Sequence, residues 1–567
     1  MRLIAVVVGA ALVAAACGGA QKGRQMDVAL RSVLENQKRP GFVTADAEGT
    51  ALWAQTREFY EQREFAPAWI ENAAPRSQMD DLIKALHEAD REGLDPELYH
   101  AGLIRDKRQE ASRGFLTNQG FDPDEAGRLD VWLTYLYLKY AADLADGLSD
   151  LAAADRNWHI KQEEFDPLEH LKDALDRNRV AGSLADLLPE HREYSALRDA
   201  LSGYRKIAEA GGWPEVPRSL RIKPGQKHAG VPALMRRLAA SGDYKGRVPA
   251  EDAEGEDDTP VEYGEDLQKA VQRFQARHGL AAAGLVGAET VAALNVSAEA
   301  RVRQIELNLE RWRWLPRDLG EHYILVNVPE MRLRVYENGR IPLAMNVVVG
   351  TRETQTPIFN DEMSYLVFSP YWNVPDSIAQ GETLPGMMRD PAYLTRNNME
   401  ILDRSGNTVE PANMDMEALD NYRFRQRPGS ANSLGLVKFM FPNQFNVYLH
   451  DTPAESLFTR ANRAFSHGCV RVANPVALAE YVLRDQREWT PDAIKTAMDS
   501  GTEKNVKLTE RLPVYLGYWT ASVDEDGVLH FRPDIYGIDA DQRKRLTERM
   551  NRMKKTDTPT VPVAETP

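Results

Sequence analysis

From about residue 51 to residue 222 the apolar positions of the chain fall at helical spacing. Leu82, Ala85, Leu86 and Ala89 share one face, and the stretch from Leu129 to Leu138 is apolar on nearly every side, which predicts a helix buried all round. Trp132, Tyr135 and Tyr137 in that stretch are read as packing residues rather than a ligand box. Val231, Leu234, Met235 and Leu238, then Leu267, Ala270, Val271 and Phe274, repeat the helical spacing on either side of an acidic run, Glu251 to Asp258. From about Tyr323 the period drops to two. Met331, Leu333 and Val335 alternate with Arg332 and Arg334, Asn338-Gly339 predicts a tight hairpin turn, and Leu343 to Val349 continues as a strand. Tyr365 to Phe368, Val447 to His450, Val514 to Val523 and Val528 to Phe531 read as further strands. Between 375 and 435 the pattern lapses into helical and polar sequence too long for a bare loop, which predicts an inserted subdomain.

These patterns predict a multidomain α+β chain: a helical scaffold over 51–225, a small helical unit over 226–298, and a β-rich domain over 299–540 that carries the insert 375–435. Residues 541–567 are expected to form a partly disordered tail, with the Thr-, Pro- and Lys-rich end from Lys554 to Pro567 unstructured. Residues 17–50 are polar and mixed, and read as a tether. Residues 1–16 read as an export signal, because Arg2 precedes an uncharged apolar run from Leu3 to Ala16. The run ends in Ala14-Ala15-Ala16-Cys17-Gly18-Gly19, which resembles the bacterial lipobox with Ala14 in place of the usual Leu. That resemblance implies lipidation of Cys17 and, with Gly18 rather than Asp following it, sorting to the outer membrane. Cleavage after an Ala-x-Ala pattern is the alternative.

Composition narrows the chemistry. With 70 Lys and Arg against 85 Asp and Glu, the formal charge of −15 provides no basic field for nucleic acid. The two cysteines, Cys17 and Cys469, support neither a disulfide framework nor a cysteine-rich zinc site. The acidic run lacks the alternating ligands and closing Glu of a calcium loop, and reads as a solvated loop. Cys469 lies in Phe465-Ser466-His467-Gly468-Cys469-Val470-Arg471, beside a histidine and near an arginine. A nucleophilic thiol needs a base or a positive charge to become thiolate, and His450 at the end of a predicted strand is a candidate base. Gly468 permits close approach of the backbone, so that amides around Cys469 can hold an oxyanion. A lone cysteine is otherwise a small buried hydrophobe.

His450, fifteen intervening residues, Ser466-His467-Gly468-Cys469 and Arg471 together resemble the signature of the L,D-transpeptidases of YkuD type. Val271 to Leu280, Gly284-Leu285-Val286-Gly287 and Thr290 look like a three-helix peptidoglycan-binding domain. Glu310-Arg311-Trp312-Arg313-Trp314, Tyr371-Trp372-Asn373-Val374-Pro375, Val437 to Pro442 and Asp534 to Gly537 extend the likeness to the large YcbB-like (LdtD-like) subfamily. The resemblance implies Cys469 as nucleophile, His450 as general acid and base, the backbone carbonyl of Asp451 as orienter of the imidazole, and Gly468 as a backbone contributor to the oxyanion site. Ser466, His467 and Arg471 would shape the donor pocket. It implies a thioester formed with loss of D-alanine and resolved by a diaminopimelate amine, giving a 3→3 cross-link in the periplasm without metal or cofactor. The insert would cap the donor groove, and carbapenem β-lactams would acylate Cys469. Peptidoglycan stem peptides and glycan are the implied partners, with peptidoglycan synthases left open. Hydrolysis of the same thioester, as an L,D-carboxypeptidase or endopeptidase, and a non-catalytic wall-anchoring lipoprotein are the alternatives. Trp312 and Trp314 are read as packing rather than sugar-stacking residues.

Overall fold

The apolar run around Trp132 forms the middle of a 23-residue helix, Pro123–Ala145, whose first turn is capped by the Asp122 carboxylate accepting from the amides of Asp124 and Glu125. Trp132 and Tyr137 are wholly enclosed, as packing residues should be. The same helix buries a carboxylate, Asp130. It accepts from Tyr60 OH at 2.6 Å and from the amides of Ala68, Trp69 and Ile70 at 2.8 Å each. Burial pushes its pKa up while these four donors hold the charged form, so the turn at 68–70 is pinned to the helix. Asp130→Ala leaves three buried amides without an acceptor and is expected to cost about 3–5 kcal/mol. The urea unfolding midpoint measures this, and a shift worth less than about 1 kcal/mol would contradict it.

The computed structural model describes residues 21–36, 38–116, 121–148, 158–160, 164–249, 260–415 and 417–553. The signal, Cys17 and the whole acidic run fall outside them, as does the end from Lys554. Two expectations are corrected. Residues 21–35, read as tether, are helical, and Met26, Leu30 and Leu34 are buried in the scaffold core. Their i, i+4 spacing was hidden among charged neighbours. A Cβ at Gly127 would stand 2.4 Å from the Met26 carbonyl oxygen, so glycine there lets the two helices touch. The tail likewise carries a helix, Ile538–Met553. Asp539 of this helix pairs with buried Arg311 at 2.7 Å, and Arg549 reaches Glu48 at 3.2 Å. These polar anchors hold a segment whose apolar content is too low to announce packing.

Val231–Ala240, Glu265–Arg277 and Ala288–Leu294 enclose a core of their own around Leu220, Leu234, Leu267 and Phe274. Trp312 and Trp314 are buried at the end of the following helix, Ala298–Arg313, in agreement with a packing role.

The β-rich half consists of β1 (His322–Asn327), β2 (Arg332–Glu337), β3 (Arg340–Gly350), β4 (Phe359–Phe368), β5 (Val437–Met440), β6 (Leu449–His450), β7 (Ala464–Ser466), β8 (Val470–Val472) and β9 (Lys504–Gly517). They pair in the order β7-β3-β8-β6-β5-β4-β9-β1-β2, and β2 also pairs with β3, which closes the sheet on itself. Asn338 and Gly339 both have positive φ in the β2–β3 turn, as the hairpin reading requires. The insert between β4 and β5 carries short helices, as read, at Leu384–Arg389 and Tyr393–Arg396, but strands as well. It contains four short strands, ordered Thr408–Val409, Met399–Leu402, Arg423–Gln426, Trp372–Asn373, around Val374, Leu394, Ile401 and Phe424. Strands of two to four residues are too short to show a period of two.

Candidate active site

β6 and β8 lie side by side and parallel, with Leu449 opposite Val470 and His450 opposite Arg471. Alternation along the two strands therefore puts Tyr448, His450, Cys469 and Arg471 on one face. Val470 N donates to Tyr448 O at 3.2 Å and holds that register at the edge that carries Cys469. Residues far apart in sequence are thus assembled by one parallel strand pair.

His450 is buried, and its Nδ1–H donates to the Asp451 carbonyl at 2.6 Å, which leaves Nε2 as the basic nitrogen. The Asp451 carboxylate fixes that carbonyl by accepting from the amides of Leu436 and Thr452, both at 2.7 Å. Gly435 makes room for it. Its φ is +61°, and a Cβ there would come within 2.3 Å of the carboxylate. Burial, helped by the Arg471 charge, pushes the His450 pKa down to about 3, so the imidazole is neutral at physiological pH.

Cys469 is half-buried, and its Sγ lies 3.8 Å from the Asn446 carbonyl. Burial raises the thiol pKa, opposed by hydrogen bonds from Tyr448 and by the Arg471 charge. At rest the two groups are thus a thiol and a neutral imidazole, so a sulfur acting as nucleophile has to lose its proton as it attacks. Iodoacetamide alkylation of Cys469 is expected to be slower at neutral pH than that of a free thiol and to keep climbing beyond pH 9.0. A rate that levels off below about pH 8 would contradict this.

The loop before Cys469 is tied down by small polar groups. Ser466 Oγ donates to the Cys469 carbonyl at 2.6 Å and accepts from the Gly468 amide at 3.1 Å. Thr354 Oγ1 donates to the Ser466 carbonyl and Thr356 Oγ1 to the Gly468 carbonyl. Gly468 has φ of +112°, a conformation side-chain-bearing residues rarely adopt. Two expectations change here. Ser466 is buried and holds the loop rather than facing a substrate, and the Gly468 N–H is engaged by Ser466 rather than open to an oxyanion. His467 is exposed and meets Glu382 of the insert. Arg471 has a buried Nε without a hydrogen-bond partner among the described residues, so its guanidinium can still take an anionic group.

Sequence reading assigned no role to Tyr448, Asn446 or Glu382. Tyr448 carries a legible signal, since it stands two residues before His450 on a predicted strand and therefore shares its face. Asn446 and Glu382 carry none, because their proximity arises from a loop and from the insert.

The model of the L,D-transpeptidase catalytic domain family matches residues 321–506, which include the whole of this site. A scaffold domain matches 54–201, and the family described as "Putative peptidoglycan binding domain" matches 227–294. A Haemophilus influenzae protein named "Putative L,D-transpeptidase" is 38% identical over 247 residues, 43% of this chain and 50% of its own length. The chain therefore spans half the length of that relative. Among solved structures, an L,D-transpeptidase from Mycobacterium smegmatis is 12% identical, covering 35% of this chain and 58% of its own, with a TM-score of 0.17. One from Xylanimonas cellulosilytica is 17% identical, covering 53% and 100%, with a TM-score of 0.17.

Proposed function

We propose, for a chain that carries a scaffold domain, a peptidoglycan-binding domain and an L,D-transpeptidase catalytic domain, that it is an acyltransferase forming 3→3 cross-links between peptidoglycan stem peptides. The observation that carries this reading is the placement of Cys469 and His450 on one face of β6 and β8, with Nδ1 anchored on Asp451. Nε2 of His450 takes the thiol proton as Sγ attacks the carbonyl of the donor's third residue. D-Alanine leaves with that proton, and a thioester remains. A diaminopimelate amine then attacks, and the C–S bond breaks as the C–N bond forms. The Cys469 amide is suited to the developing oxyanion, now that the Gly468 N–H is committed. Arg471 offers its guanidinium to a stem carboxylate.

The peptidoglycan-binding domain raises the local concentration of glycan at the site. The N-terminal sequence supports a periplasmic protein anchored through lipidated Cys17 at the outer membrane. Incubation of the chain lacking residues 1–20 with disaccharide-tetrapeptides, followed by mass spectrometry, tests the reading. Dimers linked 3→3 and a transient acyl-enzyme are expected. Tripeptides without dimers would make it a carboxypeptidase, and untouched substrate with unmodified Cys469 would leave a wall-binding scaffold.

A further inference from the structure

We propose that Glu382, on the inserted subdomain, recognises the cationic amine that resolves the thioester on Cys469 and so selects the acceptor; this rests on the transferase reading above. Glu382 Oε1 lies 2.9 Å from Nε2 of His467, two residues before the nucleophile. It sits in a wide turn, Ala379–Thr383, with i to i+5 hydrogen bonding between the short helices Asp376–Ile378 and Leu384–Arg389. Ala379 and Thr383 are buried, whereas Gln380, Gly381 and Glu382 are exposed. Such turns re-aim side chains and recur at functional sites.

The charges around the thiol explain why this carboxylate matters. Arg471 stands opposite His450 on β8, and Lys438 stands opposite it on β5, so the floor of the site is cationic. The Asp451 carboxylate is committed to the Leu436 and Thr452 amides, and Glu503 accepts from the Tyr371 amide. Glu382 is different. Its partner is an exchangeable histidine, and the two side chains are 57% and 47% exposed. An exposed pair of this kind is weak, so an incoming ammonium can displace His467 from it at little cost.

An ammonium held on Glu382 is delivered beside the loop that ends in the acylated sulfur. In the resolving step it releases one proton to solvent, its nitrogen attacks the thioester carbonyl, the C–N bond forms and the C–S bond breaks. A second amine proton ends on Sγ. Acyl transfer to a neutral nucleophile does not need the carboxylate, and neither does the preceding attack of Sγ on the donor.

The test separates the two half-reactions in the full-length chain carrying Glu382→Gln. Acylation by a tetrapeptide donor, followed by intact mass and D-alanine release, is expected to stay within about threefold of wild type. The KM for an acceptor bearing a diaminopimelate amine is expected to rise about tenfold or more, with the acyl-enzyme diverted to hydrolysis. Hydroxylamine, which is uncharged near neutral pH, should resolve the variant acyl-enzyme as fast as wild type, and Glu382→Asp should recover part of the lost acceptor affinity. An unchanged acceptor KM overturns the proposal, as does an equal loss with acceptor, hydroxylamine and donor. A wild-type chain that never becomes acylated overturns the transferase reading itself, a result distinct from either.

Discussion

Cys469→Ala is expected to remove both cross-linked dimers and every covalent adduct with a carbapenem, down to the detection limit of intact-mass analysis. In the proposed reaction the sulfur is the group that forms the bond. Cys17 cannot replace it in a chain lacking residues 1–20, because Cys469 is then its only cysteine. The surrounding loop does not depend on the thiol. Ser466 holds the Cys469 carbonyl and the Gly468 amide, and the Thr354 and Thr356 hydroxyls hold the Ser466 and Gly468 carbonyls, all without using Sγ. The alanine variant should therefore unfold at the temperature of the wild type while being chemically silent. An adduct that survives Cys469→Ala would place the nucleophile elsewhere and end the proposed mechanism.

His450→Ala is expected to slow acylation of Cys469 by about 10²- to 10⁴-fold, measured as the rate of carbapenem adduct formation. With the thiol pKa raised by burial, little thiolate exists at rest, and in the proposed mechanism Nε2 of His450, on the same face of the strand pair as Cys469, takes the proton. The effect should shrink as the pH rises and hydroxide ionises the thiol directly. A pH-independent loss would point to collapse of the site instead. Stability should also fall modestly, by about 1 kcal/mol, because the Asp451 carbonyl loses its partner. Acylation within about threefold of wild type would remove His450 from the chemistry.

Much of this site was legible in the sequence. The spacing from His450 to Ser466-His467-Gly468-Cys469 carried the nucleophile and its base as candidates, and the period-two segments carried the strands that present them. The buried aromatic helix and the hairpin at Asn338-Gly339 were equally plain, since each rests on an interaction local in the chain. The pattern is silent where the decisive partner is remote. Met26 and Leu30 pack because Gly127 offers a surface without a side chain, and the helix Ile538–Met553 docks because Arg311 is buried opposite Asp539. Neither fact is local. Ser466 looked like a substrate contact, but its hydroxyl is spent within its own loop.

The linear pattern carries the chemistry available to this protein: one thiol beside a histidine and an arginine, an imidazole on a strand, and a domain order read from period and composition. How that chemistry is set depends on packing in three dimensions. The parallel pairing of β6 with β8 puts Cys469 and His450 on one face, and burial keeps the imidazole neutral and the thiol protonated. The turn at Ala379–Thr383 brings Glu382 to His467 from a separate subdomain. Protonation state and charge pairing depend on what lies within a few ångströms in space, and a linear pattern does not record that distance.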